Sequence, residues 1–414
     1  MTYVRIFCSV VVIFLFSCKT SQKLSSIPAS IKDSKQIMSD ITYLADDELE
    51  GRLVGTEGEK KAADFISNRF LTLGLKTFPG YVKYQQAYVV NKKPNPHSLT
   101  PTGDIATQNV IGYIDNNAEN YIVIGAHYDH LGYGHFGTLW DGDPEIHNGA
   151  DDNASGIAAI LEIAKQLING PKNNNYIFMA FSGEELGLWG SNYWVKNPCI
   201  ELNKINYMIN LDMVGRLNAE RSLAIHGTGT SPIWNEKLDK HNRYNLNLVK
   251  SESGVGPSDH TSFYTSDIPV LHFFTGQHKD YHKPTDDVQY INSDGIVDIS
   301  NYILDIITSI DSDGKIKFTK TKDESNEVPD FKVTLGVMPD YLFNGKGMRI
   351  DGLKEGRPAF NAEMKKGDIV IKIGDLDIND MMSYMKALGE FEPGSTVNVL
   401  IIREGETMEK AVTF

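Results

Sequence analysis

The chain predicts an α/β protein, with a mainly parallel, mixed sheet flanked by helices and a small β-rich unit after it. Short apolar runs of strand length recur at YIVIGA (121–126), YIFMAFS (176–182), INYMINL (205–211), SLAIHG (222–227) and IPVLHFF (268–274). Helical spacing fills several of the gaps, most clearly in SGIAAILEIAKQLI (155–168), and such alternation favours parallel strands joined by helical crossovers. The third observation is positional: the residues best suited to chemistry stand directly after strands, where open α/β sheets place their sites.

At the N-terminus Arg5 precedes an apolar run from Ile6 to Phe16, too short for an ordinary spanning helix. Leu15-Phe16-Ser17-Cys18 has the form of a bacterial lipobox, so residues 1–18 read as a signal with cleavage before a lipidated Cys18. Phe16 stands where a small residue is usual, which leaves ordinary signal cleavage as the alternative. The expectation is export across the inner membrane of a bacterium and a lipid anchor in the cell envelope, periplasmic or at the surface, with residues 19–35 as a Ser-rich tether. Cys8 leaves with the signal and Cys18 carries lipid, so Cys199 stands alone and no disulfide framework is expected.

The first domain is read as residues 36–310. Helical spacing covers 31–44 and 57–73, the second stopped by Gly74. Between them GRLVGT supplies Arg52 and Gly55, read as scaffold. The polar, Pro-containing stretch from Val89 to Thr107 reads as a loop or small insertion. A helix rich in Trp189, Tyr193 and Trp194 follows the 176–182 strand, and a helix over 295–310 closes the sheet. DSDGKIKFTKTKDESNEVP (311–329) reads as a charged linker, and 330–414 as the second domain.

A chain of 414 residues predicts two or three domains, and 41% apolar residues can fill their cores. The net charge of -14 excludes nucleic acid as a partner, which would require a basic footprint. A solvated acidic surface accounts for the excess.

Five potential metal ligands lie in order along the first domain: His127 in GAHYDH, Asp152 in NGADDNASG, Glu185 in FSGEE, Asp212 in INLDM and His282 in YHKPTDD. Two imidazoles and three carboxylates have the composition of a two-zinc site, one carboxylate bridging and a His and a carboxylate completing each ion. Glu184, adjacent to a ligand, is left over as a base. The combination points to a hydrolase.

These motifs resemble the co-catalytic zinc aminopeptidases, the family of bacterial leucyl aminopeptidase and aminopeptidase Y, with glutamate carboxypeptidase II and glutaminyl cyclase as more distant members. The resemblance runs from LEGRLVGTEGEKKAADFI to HKPTDD and implies the zinc exopeptidase, phosphorylase/hydrolase-like fold with two Zn2+ as cofactors. It implies that Asp152 bridges the ions, that His127 and Asp212 complete one, and that Glu185 and His282 complete the other. Glu184 falls on the general base, and Asp129 on the carboxylate that orients His127. Asp259 and His260, in GPSDHTSF, fall on a motif behind the active site. Tyr281 has two readings, an oxyanion-stabilising hydroxyl and an aromatic wall of the substrate pocket; Val255 occupies the place where other relatives carry a tyrosine. Peptides with free N-termini are the implied substrates.

His130, His135 and His147 are read as shaping the mouth of the site, and His226, His241, His272 and His278 as structural. Trp140, Trp189 and Phe263 are the candidate pocket residues. Three other functions stay open: glutaminyl cyclisation with one zinc; a carboxypeptidase for acidic substrates, for which Arg216 and Arg221 are the few arginines at hand; and a non-catalytic binding protein.

In the second domain TLGVMPDY, GMRIDGLKEGRPAFNAEMKKGDIVIKIGDLDI and VNVLIIREGE resemble a bacterial PDZ domain. Such domains add an extended chain end to a sheet edge and hold its carboxylate on backbone N–H groups. Leu335-Gly336-Val337 is the matching loop, without the full glycine pair. Two uses stay open for it, binding a peptide and packing on the first domain.

Overall fold

Residues 32, 34–92, 103–321, 333–340, 343, 345–353, 356–379 and 381–414 are described by the computed structural model. Cys18, the signal and most of the tether lie outside the described residues, as do 322–329 of the linker. No helix among the described residues is long and apolar enough to cross a membrane.

Helix α1 (Lys35–Leu44) buries Ile37, Ile41 and Leu44 at helical spacing. Helix α2 (Glu57–Leu73) starts at Thr56, whose side chain accepts from the Glu59 N–H. It stops at Gly74, whose left-handed backbone (φ 77) a residue with a Cβ adopts only with strain. Next come β1 (Gln85–Lys92) and β2 (Gly103–Ile114), an antiparallel pair. They take in 89–92 and 103–107 of the stretch read as a loop between Val89 and Thr107, whose residues 93–102 lie outside the described residues. The alternation that makes Val90 and Ile105 partners is split by the polar, Pro-containing 93–102, which hid it from a short window.

The remaining elements of the first domain are β3 (Asn120–His127), α3 (Gly156–Leu167), β4 (Asn174–Phe181), α4 (Trp189–Lys196), β5 (Ile205–Leu211), β6 (Ser222–His226), α5 (Trp234–His241), β7 (Asn247–Ser251), α6 (His260–Tyr264), β8 (Val270–Phe274) and α7 (Ser293–Ile310). The sheet order is β1-β2-β4-β3-β5-β8-β6-β7. Its centre, β4-β3-β5-β8, is parallel, and these strands are largely apolar and buried on both faces, as is usual of parallel sheets covered by helices. The antiparallel β2–β4 and β8–β6 pairs make it mixed. Helices α1, α2, α3, α5 and α7 share one large core with one face of the sheet. A second core on the other face gathers Phe181, Trp194, Met208 and Phe263.

The segment 311–321 is not a free linker. Asp311 accepts from the Asn173 N–H (3.1 Å), Ile316 is buried, the Thr319 N–H donates to Thr230 O (2.8 Å) and Phe318 packs on Tyr264. Its alternate apolar residues find apolar sites on the first domain.

The second domain consists of β9 (Val337–Pro339), β10 (Met348–Leu353), α8 (Pro358–Asn361), β11 (Ile369–Ile373), β12 (Leu376–Asp377), α9 (Met381–Gly389), β13 (Thr396–Arg403) and β14 (Glu406–Thr413). The order β14-β13-β11-β10-β9 is antiparallel throughout and leaves β9 at an edge. It has its own core, including Leu335, Ile350, Val370, Leu388 and Ile401.

Candidate metal centre and pocket

Three adjacent parallel strands deliver the first ligands. β3 ends on His127, beside Phe181 at the end of β4, and Glu184 and Glu185 follow three and four residues later. β5 ends at Leu211, one residue before Asp212. Asp152 lies in the turn between β3 and α3, held from behind by several groups. The backbone N–H groups of Asp151 and Asp152 both donate to Asp286 Oδ2 (3.0 Å each). The carbonyls of Asn148 and Gly149 accept from Arg52 (2.6 and 3.0 Å). Gly149 has φ 57, and a Cβ there would lie 2.1 Å from Asp152 O, so only glycine fits this approach.

His127 Nε2 lies 3.2 Å from Asp152 Oδ1 and 3.4 Å from Asp212 Oδ1. His282 Nε2 lies 3.2 Å from Asp152 Oδ2 and 3.2 Å from Glu185 Oε2. Ligand bonds of about 2.0–2.1 Å in a tetrahedron give ligand-to-ligand edges of about 3.3–3.4 Å. In both triples the imidazole-to-carboxylate distances are those of neighbouring ligand atoms around a metal ion, and Asp152 offers one oxygen to each. The imidazoles are turned for it: His127 Nδ1 bonds the Asp129 carbonyl (3.2 Å) and His282 Nδ1 the Gly137 carbonyl (2.8 Å). Each N–H spent on a carbonyl leaves Nε2 as a lone-pair donor.

His130 also reaches this cluster, with Nδ1 2.7 Å from Glu185 Oε1 and 3.9 Å from Asp152 Oδ2. The first distance is a hydrogen bond, shorter than a coordination edge, so His130 fits an orienting partner of Glu185 and His282 fits the ligand.

Charge explains the protonation pattern. Burial opposes a charged His127, but Asp212 and Glu184 outweigh it and hold its pKa well above the usual value; His282 is raised likewise by Glu185 and Asp152. Burial pushes the Glu184 carboxyl well above the usual range, with Asp212 and Glu185 adding to the effect and His127 opposing it. Facing carboxylates so disposed call for a cation.

Residues 109–307 match the model of peptidase family M28, and residues 316–413 match a PDZ domain. Over residues 109–307 the first domain is thus similar to peptidase family M28. The chain is 27% identical over 201 residues to aminopeptidase YwaD of Bacillus subtilis, covering 45% of this chain and 41% of that protein. It is 29% identical over 213 residues to aminopeptidase Y of Saccharomyces cerevisiae, covering 47% and 37%. The chain thus spans about two fifths of the length of these curated relatives. A Zn-dependent exopeptidase from Parabacteroides distasonis shares the fold with a TM-score of 0.55 at 19% identity, over 67% of this chain and 98% of that one. Glutaminyl cyclase from Bacteroides thetaiotaomicron shares it with a TM-score of 0.56 at 17% identity, over 68% and 99%.

Within the first domain the other candidate residues fall in several places. The Asp129 carboxylate is 3.8 Å from His127 Nδ1 and instead accepts the Glu184 N–H (3.1 Å), so the backbone carbonyl of Asp129 turns the imidazole while its side chain places Glu184. Tyr281 stacks on His282 (centroids 3.8 Å apart) and lines the cavity over the ligands. Asp259 is buried next to Ser191, and burial pushes its carboxyl up to about 7, with His127 and Ser191 opposing the rise. His260 stacks on His272 and touches none of the ligands by hydrogen bond. Cys199 is a half-buried free thiol at the edge of the second core.

The pocket candidates need correction. Phe263 is wholly buried between Trp194 and Phe181. Trp189 packs with Val54, Ile105 and Leu186, and Trp140 Nε1 donates to Asp143 O (3.2 Å). The cavity, about 90 Å³, is lined beyond the ligands by Met213, His226, Pro257, His272, Phe274, Gln277 and Tyr281. His226 and His272, read as structural, were detectable as polar residues within otherwise apolar strands. His147 is buried and bonds Thr138 and the Glu145 carbonyl.

Leu335 is buried in the PDZ core, Gly336 has a left-handed φ of 71 and its N–H donates to Thr334 Oγ1 (3.0 Å). Gly336 and Val337 line a cavity of about 490 Å³ with Gly137, Thr138, Leu139, Asp141 and Lys283 of the first domain. The PDZ loop therefore faces the segment whose Gly137 carbonyl holds His282.

Proposed function

We propose that the chain is a metal-dependent aminopeptidase that removes first residues from peptides, using two zinc ions and Glu184 as the proton carrier. The observation that carries this reading is the Asp152 carboxylate, with one oxygen in each ligand triple at 3.2 Å from an imidazole nitrogen. His127, Asp152 and Asp212 would hold one ion, and Asp152, Glu185 and His282 the other. Zinc bound there supplies Lewis acidity towards the scissile carbonyl and a water of lowered pKa. Glu184 is fixed from its backbone by Asp129, and its burial raises its affinity for a proton. It is thereby suited to take a proton from the attacking water and return it to the leaving amine. Tyr281, stacked on His282 and lining the cavity, fits the oxyanion role.

Arg216 pairs with Asp280 and Asp286, and Arg221 with Asp298. The carboxypeptidase reading for acidic substrates thus loses the arginines it needs near the ligands. The second ligand triple weighs against a one-zinc cyclase. By its lipobox, Cys18 is proposed to anchor the enzyme in the envelope of a bacterium.

The test mixes the zinc-loaded protein with a peptide library bearing free or acetylated N-termini and reads products by mass spectrometry. Loss of first residues from the free forms alone supports the reading. Trimming from C-termini regardless of acetylation would overturn it. Glu184→Gln should keep its zinc by elemental analysis while losing most turnover; near-normal activity removes Glu184 as the base.

A further inference from the structure

Strands β6 and β8 run antiparallel with His226 directly opposite His272. The two rings meet edge to face, 5.4 Å between centroids at 88°. His260 lies flat on His272, 4.4 Å away at 8°. His226 and His272 both line the cavity over the candidate metal ligands, whose other walls are the apolar Met213, Pro257 and Phe274 with Gln277 and Tyr281.

A chain of hydrogen bonds fixes the proton on His272. The Asp212 carboxylate only accepts, so Ser258 Oγ donates to it (2.7 Å). The Ser258 oxygen is then free to accept from Asn210 Nδ2 (2.8 Å). The same amide nitrogen lies 3.0 Å from His272 Nδ1 and donates to it. A neutral imidazole that accepts at Nδ1 carries its hydrogen on Nε2. Both rings are neutral near pH 7, because burial holds His272 well below the usual histidine range and brings His226 down to about 4.

We propose that His272, with His226 beside it, makes this cavity a pocket for a first side chain that carries a hydrogen-bond acceptor, the amides of asparagine and glutamine foremost. The inference rests on the aminopeptidase reading and names its substrate class. An aliphatic side chain of the same shape displaces water from the Nε2–H and leaves a buried donor unpaired, a penalty that an amide oxygen removes. A carboxylate side chain is disfavoured, because no lysine or arginine is among the residues that line the cavity and Arg216 and Arg221 are held in ion pairs elsewhere.

Two isosteric pairs isolate the effect: Asn against Leu, and Gln against Met, each as the first residue of one otherwise constant peptide. The expected kcat/KM ratio favours the amide by about 10- to 100-fold, and His272→Phe, which keeps a ring to stack on His260, should abolish that ratio while Leu and Met peptides are still cleaved. His226→Phe, on the more accessible ring, should reduce it and serves if the first variant does not fold. Leu and Met peptides cleaved as well as their partners, or a ratio unchanged in the folded variants, would overturn the proposal. Nitrogen-15 NMR of the imidazoles should place the His272 proton on Nε2, and finding it on Nδ1 overturns the proposal equally. If no peptide is cleaved, the aminopeptidase reading is what fails; calorimetry with free asparagine and leucine then decides the pocket, tighter asparagine supporting it and equal binding overturning it.

Discussion

Replacing Arg52 tests whether the metal ligands are held by the scaffold behind them. The side chain is 1% exposed. Its guanidinium donates to Tyr128 O (2.7 Å), Asn148 O (2.6 Å), Gly149 O (3.0 Å) and the carbonyl of Leu44. One group thus joins the end of α1, the residue after His127 and the two residues that lead into Asp151-Asp152. Burial brings its pKa down to about 10, opposed by Asp152, Asp129 and Asp286, so it stays charged at neutral pH. In Arg52→Met four carbonyls lose their donor, at about 1–3 kcal/mol for each left buried and unpaired. Removal of the buried charge returns part of this as desolvation no longer required, and water reaches some of the carbonyls, so a net loss of about 3–5 kcal/mol is the working figure. At ~2–4 °C per kcal/mol for a domain of this size, Tm should fall by roughly 6–20 °C. Arg52→Lys should lose somewhat less, because its ammonium can still donate to some of the carbonyls, although it lacks the planar fork that spans all four. The assay is thermal unfolding by circular dichroism with zinc titration of the folded variant, in which zinc affinity should also fall. Unchanged Tm and zinc affinity in Arg52→Met would refute the reasoning.

Glu59, also buried, accepts from the Gly55 N–H (2.6 Å), Ser182 Oγ (2.5 Å), the Tyr128 hydroxyl (3.2 Å) and Thr107 Oγ1. Glu59→Ala should therefore lose about 2–4 kcal/mol in urea unfolding, and a loss below about 0.5 kcal/mol, the level of an ordinary surface change, rejects that role. Chelation should abolish peptide cleavage and lower Tm, with zinc restoring both, since a ligand bound only by the folded state stabilises it by mass action; full activity after verified metal removal sinks the metal assignment. The buried His147 imidazole has its pKa lowered to about 4 by burial, against about 6.5 in an unfolded chain. The unfolded state then binds the extra proton between those values, so the stability from keeping it neutral is complete above about pH 6.5 and is lost as pH falls towards about 4. His147→Gln should flatten the fall in urea midpoint over that window, and an unaltered slope counts against the assignment.

The central strands were legible because burial on both faces makes them continuous apolar runs: INYMINL occupies β5 residue for residue. Helix α2 was equally legible from Glu57 to its glycine stop, since spacing and cap agree. The β1–β2 pair was not, because its register depends on residues either side of a polar interruption. Helix α5 and strand β7 escaped for a related reason. Both are largely polar: α5 buries only Trp234 and Leu238, and no residue of β7 is fully buried. The site divides in the same way. Types and order along the chain single out His127, Asp152, Glu184, Glu185, Asp212 and His282, whereas His130 on Glu185 and Asp286 behind Asp152 depend on distances that no spacing reveals. The pocket was least legible. Large aromatics near a motif are as well suited to a core as to a cavity, and Phe263 went to the core while His226 and His272 took the wall.

The scaffold also controls where its cations go. Arg52 is directed to backbone carbonyls, and Arg216 to Asp280 and Asp286. Among the described residues the ion pairs of Asp152, Glu185 and Asp212 are with imidazoles alone. A fold that needed only to neutralise these carboxylates could have set a lysine or arginine against them, at the expense of their lone pairs. Here the loops are fastened through backbone atoms and each of these carboxylates keeps an oxygen turned to an imidazole of the candidate ligand set, so the scaffold holds that geometry in advance. Asp286 acts to the same end: by accepting the N–H groups of Asp151 and Asp152 on one oxygen, it fixes the shared carboxylate without touching it. Its neighbour Asp151 takes His278 on its own side chain, which draws that imidazole away from the ligand set. Open carboxylates on an over-fastened backbone are what a pre-organised cation site requires, and this argues for metal binding independently of the order of motifs along the chain.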